Sequence, residues 1–389
     1  MDLPDLLARV VGPRPNGSAA LERSGDVLLA TLREQTPDVV AAAFGATPYG
    51  FALVWAAVLA AAVAYAFTVR RRPGAALATA LAIPLLLLAE FEWLRSPVSG
   101  LWPAVGRNVV ATFAGRPGGP SVVFSAHYDT TTHFGDHFDW PRIGWWLGPA
   151  SALAAVTAAA SLRARRRGRA LSRRTGGVAA SVLLLPAAGM AFCQTLAPLV
   201  RTPSPGAIDN GGAVAVLLGL AAELRARPAD APATVRLVLF AGEEERALGS
   251  WAWAAAAVRD GTAPDVAVNL ECIGAGSGLG WVPEDGFTFR RWPAPPALVR
   301  LLDETARGLG APPLAPAPLP PGSLTDGRSL LAHGIPTVTL VPAGGFPRRL
   351  HSAHDGPERV DVGELERTVA LLAAVVQRLD RDGAFPRAS

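Results

Sequence analysis

Cysteine and charge are both scarce in this chain of 389 residues. Only two cysteines occur, Cys193 in an apolar run and Cys272 in a strand region, so neither a disulfide framework nor a cysteine-based zinc site is indicated. Charged residues make up 17% of the sequence and hydrophobic residues 50%, which is more apolar than a soluble enzyme requires and indicates membrane segments. The N-terminus lacks the basic and apolar pattern of a secretory signal peptide.

The net charge of +4 and the pI near 9.8 are explained by where the arginines lie. Seven arginines fall within 163–174 and three more form the run 70–72, and apolar segments flank both places. This distribution gives no indication of a nucleic-acid partner and is typical of the loops between membrane helices.

Four apolar segments have the length to cross a bilayer, at 51–69, 75–94, 143–162 and 177–200. They form two hairpins with the arginine loops at their tips. By the positive-inside rule the tips face the cytoplasm, which puts the rest of the chain on the outer side of the cytoplasmic membrane. The alternative is that these alanine-rich segments, interrupted by Pro84 and Pro186, are buried helices of a large soluble domain.

Outside the hairpins, predicted strands and helices alternate. The strands are predicted at 108–113, 121–125, 235–240, 266–270 and 337–341, and the helices within 6–32 and at 213–225, 246–258, 296–309 and 362–379. This alternation predicts an α/β fold with helices on both faces of a mostly parallel central sheet. The predicted catalytic domain comprises 1–46, 95–142 and 201–389, and the transmembrane hairpins comprise 47–94 and 143–200.

Polar side chains stand where the predicted strands end. His127, Glu243, Glu244 and Glu271 each follow an apolar strand, and Asp209 opens a helix. Because the carboxyl ends of the strands form the ligand crevice of an open α/β sheet, we expect these groups to converge. Zinc accepts imidazole and carboxylate ligands, and one shared carboxylate joins two ions in paired hydrolytic sites. The pattern predicts a metal-dependent hydrolase.

Seven short motifs make the chain similar to the zinc aminopeptidases of the M28 family, which also contains glutaminyl cyclases and the transferrin-receptor ectodomain. In chain order they are GPRPNGS at 12–18, GRNV at 106–109, AHYDT at 126–130, GAIDNGG at 206–212, FAGEEERALGS at 240–250, NLECIG at 269–274 and LHSAHD at 350–355. The resemblance covers nearly the whole chain outside the hairpins. It implies a three-layer α/β/α zinc-peptidase domain of the phosphorylase/hydrolase-like type, here combined with four transmembrane helices.

The resemblance also implies a role for each matching residue. Asp209 is expected to bridge two zinc ions, one completed by His127 and Glu271 and the other by Glu244 and His351. Glu243 is the expected general base, and Asp129 is expected to orient His127. The implied reaction removes the first residue from a peptide substrate with a free N-terminus.

Four departures from the family pattern accompany these matches. Glu271 stands where an aspartate is usual, and its extra methylene leaves open a displaced or weaker second ion, an ion of different identity, or a single-metal site. Gly356 replaces a common threonine, and Thr325 precedes Asp326 where a serine is usual. Eighty positions separate Asp129 from Asp209, and the second hairpin accounts for them.

Other residues compete for a place in the site. His133 and His137 either bind metal or lie in an interfacial loop before the third apolar segment. His354 is a rival of His351, which the spacing to Asp355 favours. Four aromatic residues line a substrate pocket or pack in an ordinary hairpin, namely Trp281, Phe287, Phe289 and Trp292.

Three functions remain open from the sequence. The first is a zinc aminopeptidase, the second a glutaminyl-cyclase-like acyltransferase on the same scaffold, and the third a non-catalytic receptor domain. A receptor domain predicts lost ligands, whereas all five ligand positions and the base position carry competent side chains. The sequence does not indicate an oligomeric state, and the lipid bilayer is the expected partner of the hairpins.

Overall fold

The computed structural model describes residues 2–135, 140–228, 230–320, 322–383 and 385. The chain forms two compact units. The sheet unit comprises Met1–Pro48, Pro103–Thr131 and Pro203–Ser389, and the helical unit comprises Tyr49–Trp102 and Thr132–Thr202. The division into a catalytic domain and transmembrane hairpins assigns function to these segments and stays a prediction.

Helices and strands occupy most of both units. The helices are α1 (Leu3–Val10), α2 (Ala19–Arg33), α3 (Gly50–Thr68), α4 (Pro73–Leu87), α5 (Trp140–Trp145), α6 (Leu147–Arg166), α7 (Arg173–Ala191), α8 (Ala197–Val200), α9 (Gly212–Leu224), α10 (Leu248–Arg259), α11 (Pro296–Gly308), α12 (Asp326–Ala332) and α13 (Val362–Asp382). The strands are β1 (Val39–Ala46), β2 (Ala104–Phe113), β3 (Ser121–His127), β4 (Thr234–Phe240), β5 (Val266–Leu270), β6 (Leu279–Trp281), β7 (Glu284–Asp285), β8 (Trp292–Pro293), β9 (Ala315–Pro316) and β10 (Thr337–Pro342).

Eight strands form one mixed sheet in the order β1-β2-β4-β3-β5-β10-β6-β9. The four strands at its centre, β4, β3, β5 and β10, are parallel, whereas β1, β2 and β6 each pair antiparallel with a neighbour. The α/β fold with a large, mostly parallel sheet is therefore confirmed. Parallel pairing brings the carboxyl ends of the central strands to one edge of the sheet.

The central strands are buried on both faces, which explains why they read as nearly continuous apolar runs. Along β3, Val122 and Phe124 pack in one core cluster, whereas Val123 packs in another. The first cluster includes residues of α1, α2, α9, α11 and α13, and the second includes residues of α10 and α12. Helices thus cover both faces, as a three-layer arrangement requires.

Helix α9 forms the centre of the larger core. The helical stretch Ala207–Leu224 is long and apolar enough to cross a membrane, but 89% of it is buried inside the fold. The corresponding share is 28% to 39% for the four stretches in the helical unit. Because a helix that is apolar on every side needs apolar neighbours on every side, α9 is satisfied by packing within the sheet unit.

Strand β1 and the start of helix α10 are among the local elements that differ from the sequence-based prediction. Strand β1 was not expected, because only Val39 and Val40 in it are β-branched and an alanine run follows them. It lies at the edge of the sheet and pairs with β2. Helix α10 begins at Leu248 and not at the expected Arg246, since Arg246 and Ala247 have φ angles of +75° and +59° and cannot continue a right-handed helix.

The helical unit is built around α3, α4, α6 and α7, in which α3 and α6 each pack against both α4 and α7. Side-chain hydrogen bonds join α3 to α6: the Tyr65 hydroxyl donates to the carbonyl of Ala154 at 2.9 Å, and the Ser161 hydroxyl donates to that of Val69 at 2.8 Å. By length and composition, the four stretches Gly50–Thr68, Pro73–Glu92, Arg142–Arg166 and Arg173–Leu196 are membrane-span candidates, close to the predicted positions.

Candidate metal centre

The carboxyl edge of the parallel strands carries most of the predicted site residues. His127 is the last residue of β3, Glu243 and Glu244 follow β4, and Glu271 directly follows β5. These three strands are neighbours in the sheet, and His127 lies opposite Phe240 in the register. Adjacent parallel strands therefore deliver an imidazole and carboxylates to one small region.

One cluster joins His127, Asp209 and Glu271, all three of which are buried. The Nε2 atom of His127 lies 3.2 Å from Oδ1 of Asp209 and 3.2 Å from Oε1 of Glu271. The longer glutamate thus reaches the position where the aspartate of the family pattern was expected to act.

A second cluster joins Asp209, Glu244 and His351. The Nε2 atom of His351 lies 2.8 Å from Oδ2 of Asp209 and 3.3 Å from Oε2 of Glu244. His351 takes part in this cluster, whereas its rival His354 is exposed. Asp209 belongs to both clusters and presents a different oxygen to each histidine.

The donor set fits a divalent cation. Within the residues that the structure describes, the buried Oε1 of Glu244 and the buried Oε2 of Glu271 have no hydrogen-bond partner, one in each cluster. A buried carboxylate oxygen without a partner is costly unless a cation balances it. Imidazole and carboxylate donors suit zinc, and the single bridging Asp209 would link two ions.

Asp129 organises the residues around the first cluster. Its Oδ1 lies 3.5 Å from Nδ1 of His127 and accepts a hydrogen bond from the amide of Glu243 at 3.3 Å, while its Oδ2 accepts from the amide of Glu244 at 3.1 Å. Asn16 donates to Oδ2 as well, at 2.7 Å. One buried carboxylate thus holds both the first histidine and the backbone of the predicted base and its ligand neighbour.

The loop that carries Asp209 is held by two further buried side chains. The carboxylate of Asp355 accepts from the amides of Ile208 at 2.9 Å and Asp209 at 3.1 Å. The Asn210 amide group donates to the carbonyl of Leu270 at 2.9 Å and accepts from the amide of Cys272 at 3.0 Å. Asn210 therefore hydrogen-bonds to the backbone on both sides of Glu271. Because Asn210 follows Asp209 directly, these bonds link the Asp209 loop to the position of Glu271.

Glu243 lies beside the clusters and belongs to neither metal-ligand group. Burial raises the pKa of its carboxyl well above the ordinary value of 4.5, the imidazole of His127 opposes this rise, and the negative charges of Glu271 and Asp326 add to it. A carboxyl next to a metal site but outside its ligand set suits proton transfer.

Arg14 lies in the GPRPNGS motif, to which the sequence assigned no role in the site. In the structure it contacts the segments next to the site residues. Its guanidinium is buried and donates to the carbonyls of Tyr128 at 2.7 Å, Pro205 at 3.1 Å and Gly206 at 3.2 Å. Tyr128 precedes the inserted segment 132–202, and Pro205 and Gly206 follow it. One side chain therefore fastens both ends of the insertion, beside His127 and Asp209.

The charge of Arg14 faces the acidic cluster without pairing directly with one acid. Burial lowers the pKa of its guanidinium to about 10, while Asp129, Asp355, Asp209 and Glu244 act in the opposite direction. Gly206, at φ +62°, is tightly enclosed by the side chains of Thr130 and Arg14, so a larger residue cannot be placed there. A sequence signal for this role exists only in the GPRPNGS motif.

A buried polar chain lies beneath the site. The Ser125 hydroxyl donates to Oδ1 of Asn269 at 2.8 Å, the Asn269 amide donates to the Thr325 hydroxyl at 3.4 Å, and that hydroxyl donates to Asp285. Ser125 lies on β3 two residues before His127, and Asn269 lies on β5 two residues before Glu271. Sequence reasoning missed Asp285, because an acid in a short hairpin carries no signal of burial.

Asp326 follows Thr325 at the start of α12 and is fully buried. Burial raises the pKa of its carboxyl to about 8, with the His127 imidazole opposing and the Glu271 and Asp129 charges adding to the rise. Neither carboxylate oxygen has a hydrogen-bond partner among the described residues. Asp326 is therefore a second acid outside the metal-ligand groups that is coupled to them electrostatically.

The remaining predicted candidates lie elsewhere. His133 belongs to the helical unit and to neither metal-ligand group, and His137 lies outside the described residues. In the β7–β8 region Phe289 is exposed, and the guanidinium of Arg290 lies 5.2 Å from the ring centroid of Trp292. Trp281 is partly buried and packs against the larger core cluster.

Comparisons with known proteins agree with this fold and donor set. Residues 193–376 match the model of peptidase family M28, so the resemblance stated from the sequence is confirmed. The match contains Asp209, Glu243, Glu244, Glu271 and His351 but not His127. None of the curated proteins compared with the chain matches it.

The solved structures with the same fold include enzymes of more than one activity. A glutaminyl cyclase from Porphyromonas gingivalis has a TM-score of 0.56 at 18% identity, with 98% of this chain and 97% of that chain covered. A Zn-dependent exopeptidase from Parabacteroides distasonis has a TM-score of 0.55 at 15% identity, covering 99% and 96%. An aminopeptidase from Aneurinibacillus sp. has a TM-score of 0.56 at 12% identity, covering 97% and 92%. At these identities the likeness establishes the fold, and with the family match it supports a metallopeptidase-like enzyme.

Glu271→Ala should weaken zinc binding by at least about tenfold or lower its stoichiometry, because it removes the acid that faces His127 and Asp209. Glu271→Asp should retain more zinc, since it keeps the charge. Zinc titration of the purified variants, with the exposed Glu223→Ala as control, checks this. Wild-type zinc binding in Glu271→Ala would make Glu271 a structural carboxylate and favour a single ion.

Arg14→Met should weaken zinc binding by roughly 10- to 100-fold, as loss of a residue supporting metal ligands generally does. Arg14→Lys should lie between wild type and Arg14→Met, because it keeps the charge but not the planar fork of donors. Arg9→Met removes an exposed arginine of the same segment and serves as the control. Unchanged zinc affinity in a folded Arg14→Met protein would limit Arg14 to a packing role.

Proposed function

We propose that this chain is a metal-dependent aminopeptidase that releases the N-terminal residue of peptides. The observation that carries the proposal is the pair of histidine–carboxylate clusters that share Asp209, with Glu243 beside them and outside both. An activated serine or cysteine nucleophile is not needed for such chemistry, and buried Cys272 has its thiol pKa raised well above 9 by burial and the nearby acids.

Zinc is the metal that the donors fit best, with His127, Asp209 and Glu271 holding one ion and Asp209, Glu244 and His351 a second. Two ions are proposed, and one remains the alternative. Zinc bound there would supply Lewis-acid polarisation of the scissile carbonyl and would make a water molecule more acidic.

Glu243 is the proposed general base. Its carboxylate takes a proton from the attacking water and returns it to the nitrogen of the leaving peptide as the C–N bond breaks. Asp129 supports this role because its carboxylate accepts hydrogen bonds from the backbone amides of both Glu243 and Glu244. The proposed base and the proposed ligand are therefore neighbours in one turn whose backbone Asp129 holds.

The proposed selectivity for a free N-terminus follows from charge. Acids crowd the site, and the buried guanidinium of Arg14 offsets part of their charge. A substrate ammonium group gains from this surplus of carboxylates, whereas an interior peptide bond brings no such cation. Binding the terminal amine also positions the first peptide bond, and positioning of this kind accelerates reaction strongly.

The proposed location is the cytoplasmic membrane, with the helical unit in the bilayer and the catalytic domain on the extracytoplasmic side. The four span candidates and the arginines at the tips of their hairpins support it. The peptide substrates would then be extracytoplasmic.

A glutaminyl-cyclase-like acyl transfer is the second candidate. The observation that favours it is the fold similarity to the Porphyromonas gingivalis glutaminyl cyclase, which equals the similarity to the Aneurinibacillus aminopeptidase in TM-score. Both reactions need an activated acyl group and a proton-transferring carboxyl. They differ in whether water or the substrate's own amine attacks.

Glu243→Gln should lower kcat by about 100- to 10,000-fold while leaving zinc content nearly unchanged, because this residue moves a proton and is outside the ligand set. Glu244→Ala should instead lose zinc. Kinetics and metal analysis of both variants check this, with Glu223→Gln as the exposed control. Substantial activity in Glu243→Gln would refute the base assignment.

The purified protein should release the first residue of peptides with a free α-amine, and N-acetylation should abolish release because it removes the ammonium charge. Chelation should stop turnover and added zinc should restore it. Mass spectrometry of the products decides between cleavage and cyclisation. Loss of ammonia from an N-terminal glutamine without cleavage of the peptide bond would replace the aminopeptidase proposal with the cyclase.

A further inference from the structure

The helical unit carries a dense group of arginines, called here the tip arginines. All of them are exposed. They lie in the turn between α3 and α4 and in the end of α6, the following turn and the start of α7: Arg70, Arg71, Arg72, Arg163, Arg165, Arg166, Arg167, Arg169, Arg173 and Arg174.

The fold unites these two loops into a single surface, although about ninety residues separate them in the sequence. The guanidinium of Arg165 donates to the carbonyl of Arg71. Gly176, in the first turns of α7, packs so closely on Arg70 that a Cβ added there would lie 3.1 Å from Cγ of Arg70. The pairing of α3 with α7 and of α4 with α6 brings the two loops to the same end of the helices.

The positive charge of this surface is not balanced by acids. Neither loop contains an aspartate or glutamate, and no tip arginine forms an ion pair within the part of the chain that the structure describes. Without these ten arginines the chain would carry more acidic than basic residues. Mutual repulsion makes such a group unfavourable unless an external anion lies against it.

The side chains near the tip arginines indicate which kind of anion lies against them. Apolar side chains project from the helices next to the tips, among them Phe67 and Leu185, which are 77% and 73% exposed. Exposed tryptophans, including Trp93 and Trp146, mark the opposite ends of the helices. A basic end, an apolar band and an aromatic end in this order match the layers of a bilayer. Phosphates at the membrane surface are then the anions next to the tips.

We propose that the tip arginines form one binding surface for anionic phospholipid headgroups of the membrane leaflet into which the hairpin tips project. The planar guanidinium binds phosphate oxygens through two parallel hydrogen bonds, which suits arginine better than lysine. The inference rests on the proposed membrane insertion and is independent of the proposed peptidase activity.

The test measures lipid binding by the full chain. Detergent-purified protein is titrated with phosphatidylglycerol or phosphatidylcholine in mixed micelles, and bound lipid is counted by native mass spectrometry. The test variant replaces Arg72, Arg166, Arg167 and Arg169 by glutamine, since these side chains make no hydrogen bond among the described residues. The control variant replaces four arginines of the sheet unit, Arg259, Arg307, Arg367 and Arg381, whose side chains are 61% to 73% exposed.

Wild type and the control variant should bind phosphatidylglycerol in preference to phosphatidylcholine, and the test variant should bind phosphatidylglycerol at least about tenfold more weakly. Higher salt should weaken the wild-type interaction. Equal binding of the two lipids, or full binding by the test variant, would overturn the proposal. Extraction of the protein from membranes without detergent would instead refute membrane insertion, and peptidase assays on soluble peptides report separately on the catalytic proposal.

Discussion

The carboxylate of Asp209 is the interaction on which the site depends. Its two oxygens face two histidines from distant parts of the chain, His127 at the end of β3 and His351 beyond β10. Neither cluster is complete without it. The other acids, Glu244 and Glu271, lie close enough to repel it, so bound cations would stabilise this arrangement of carboxylates. The site thus concentrates acidic charge that Arg14 and the histidines offset only in part.

Backbone amides, more than side-chain packing, hold this carboxylate cluster in shape. Asp355 accepts from two successive amides of the Asp209 loop, and Asp129 does the same for the turn that contains Glu243 and Glu244. Each acid receives two hydrogen bonds from a rigid stretch of backbone, which defines where the next side chain starts. These hydrogen bonds restrict the loops that carry the site residues.

The same principle explains how the sheet unit accommodates a long insertion next to its site. The chain leaves after Thr131 and re-enters at Pro203. Arg14 binds carbonyls on both sides of this gap, and Thr130 and Gly206 touch across it. The inserted helices therefore need not position Asp209, because contacts within the sheet unit already do so. Loop-closure entropy also grows only slowly with the length of an insertion.

Much of the site was predictable from the sequence because ligand chemistry and strand periodicity are local properties. Apolar runs of β-branched residues identified β4, β5 and β10, and the polar residues that end β3 and follow β4 and β5 identified the metal-binding edge. The resemblance added His351 and the bridging role of Asp209, which no local pattern assigns. Alanine-rich β1 and the start of α10 were missed or misplaced, since pairing with β2 and positive φ angles do not follow from residue preference.

Only the tertiary structure decided which groups touch. Asp209 turned out to face each histidine with a separate oxygen, and Asn210 to bind the backbone on both sides of Glu271. Arg14, Asp285 and the union of the two arginine loops likewise depend on contacts between segments distant in the chain. The sequence by itself determined the chemical types of the site residues and the apolarity of the hairpins. Their pairing required the fold, because a long-range contact depends on how strands are ordered in the sheet, which no short stretch of sequence encodes.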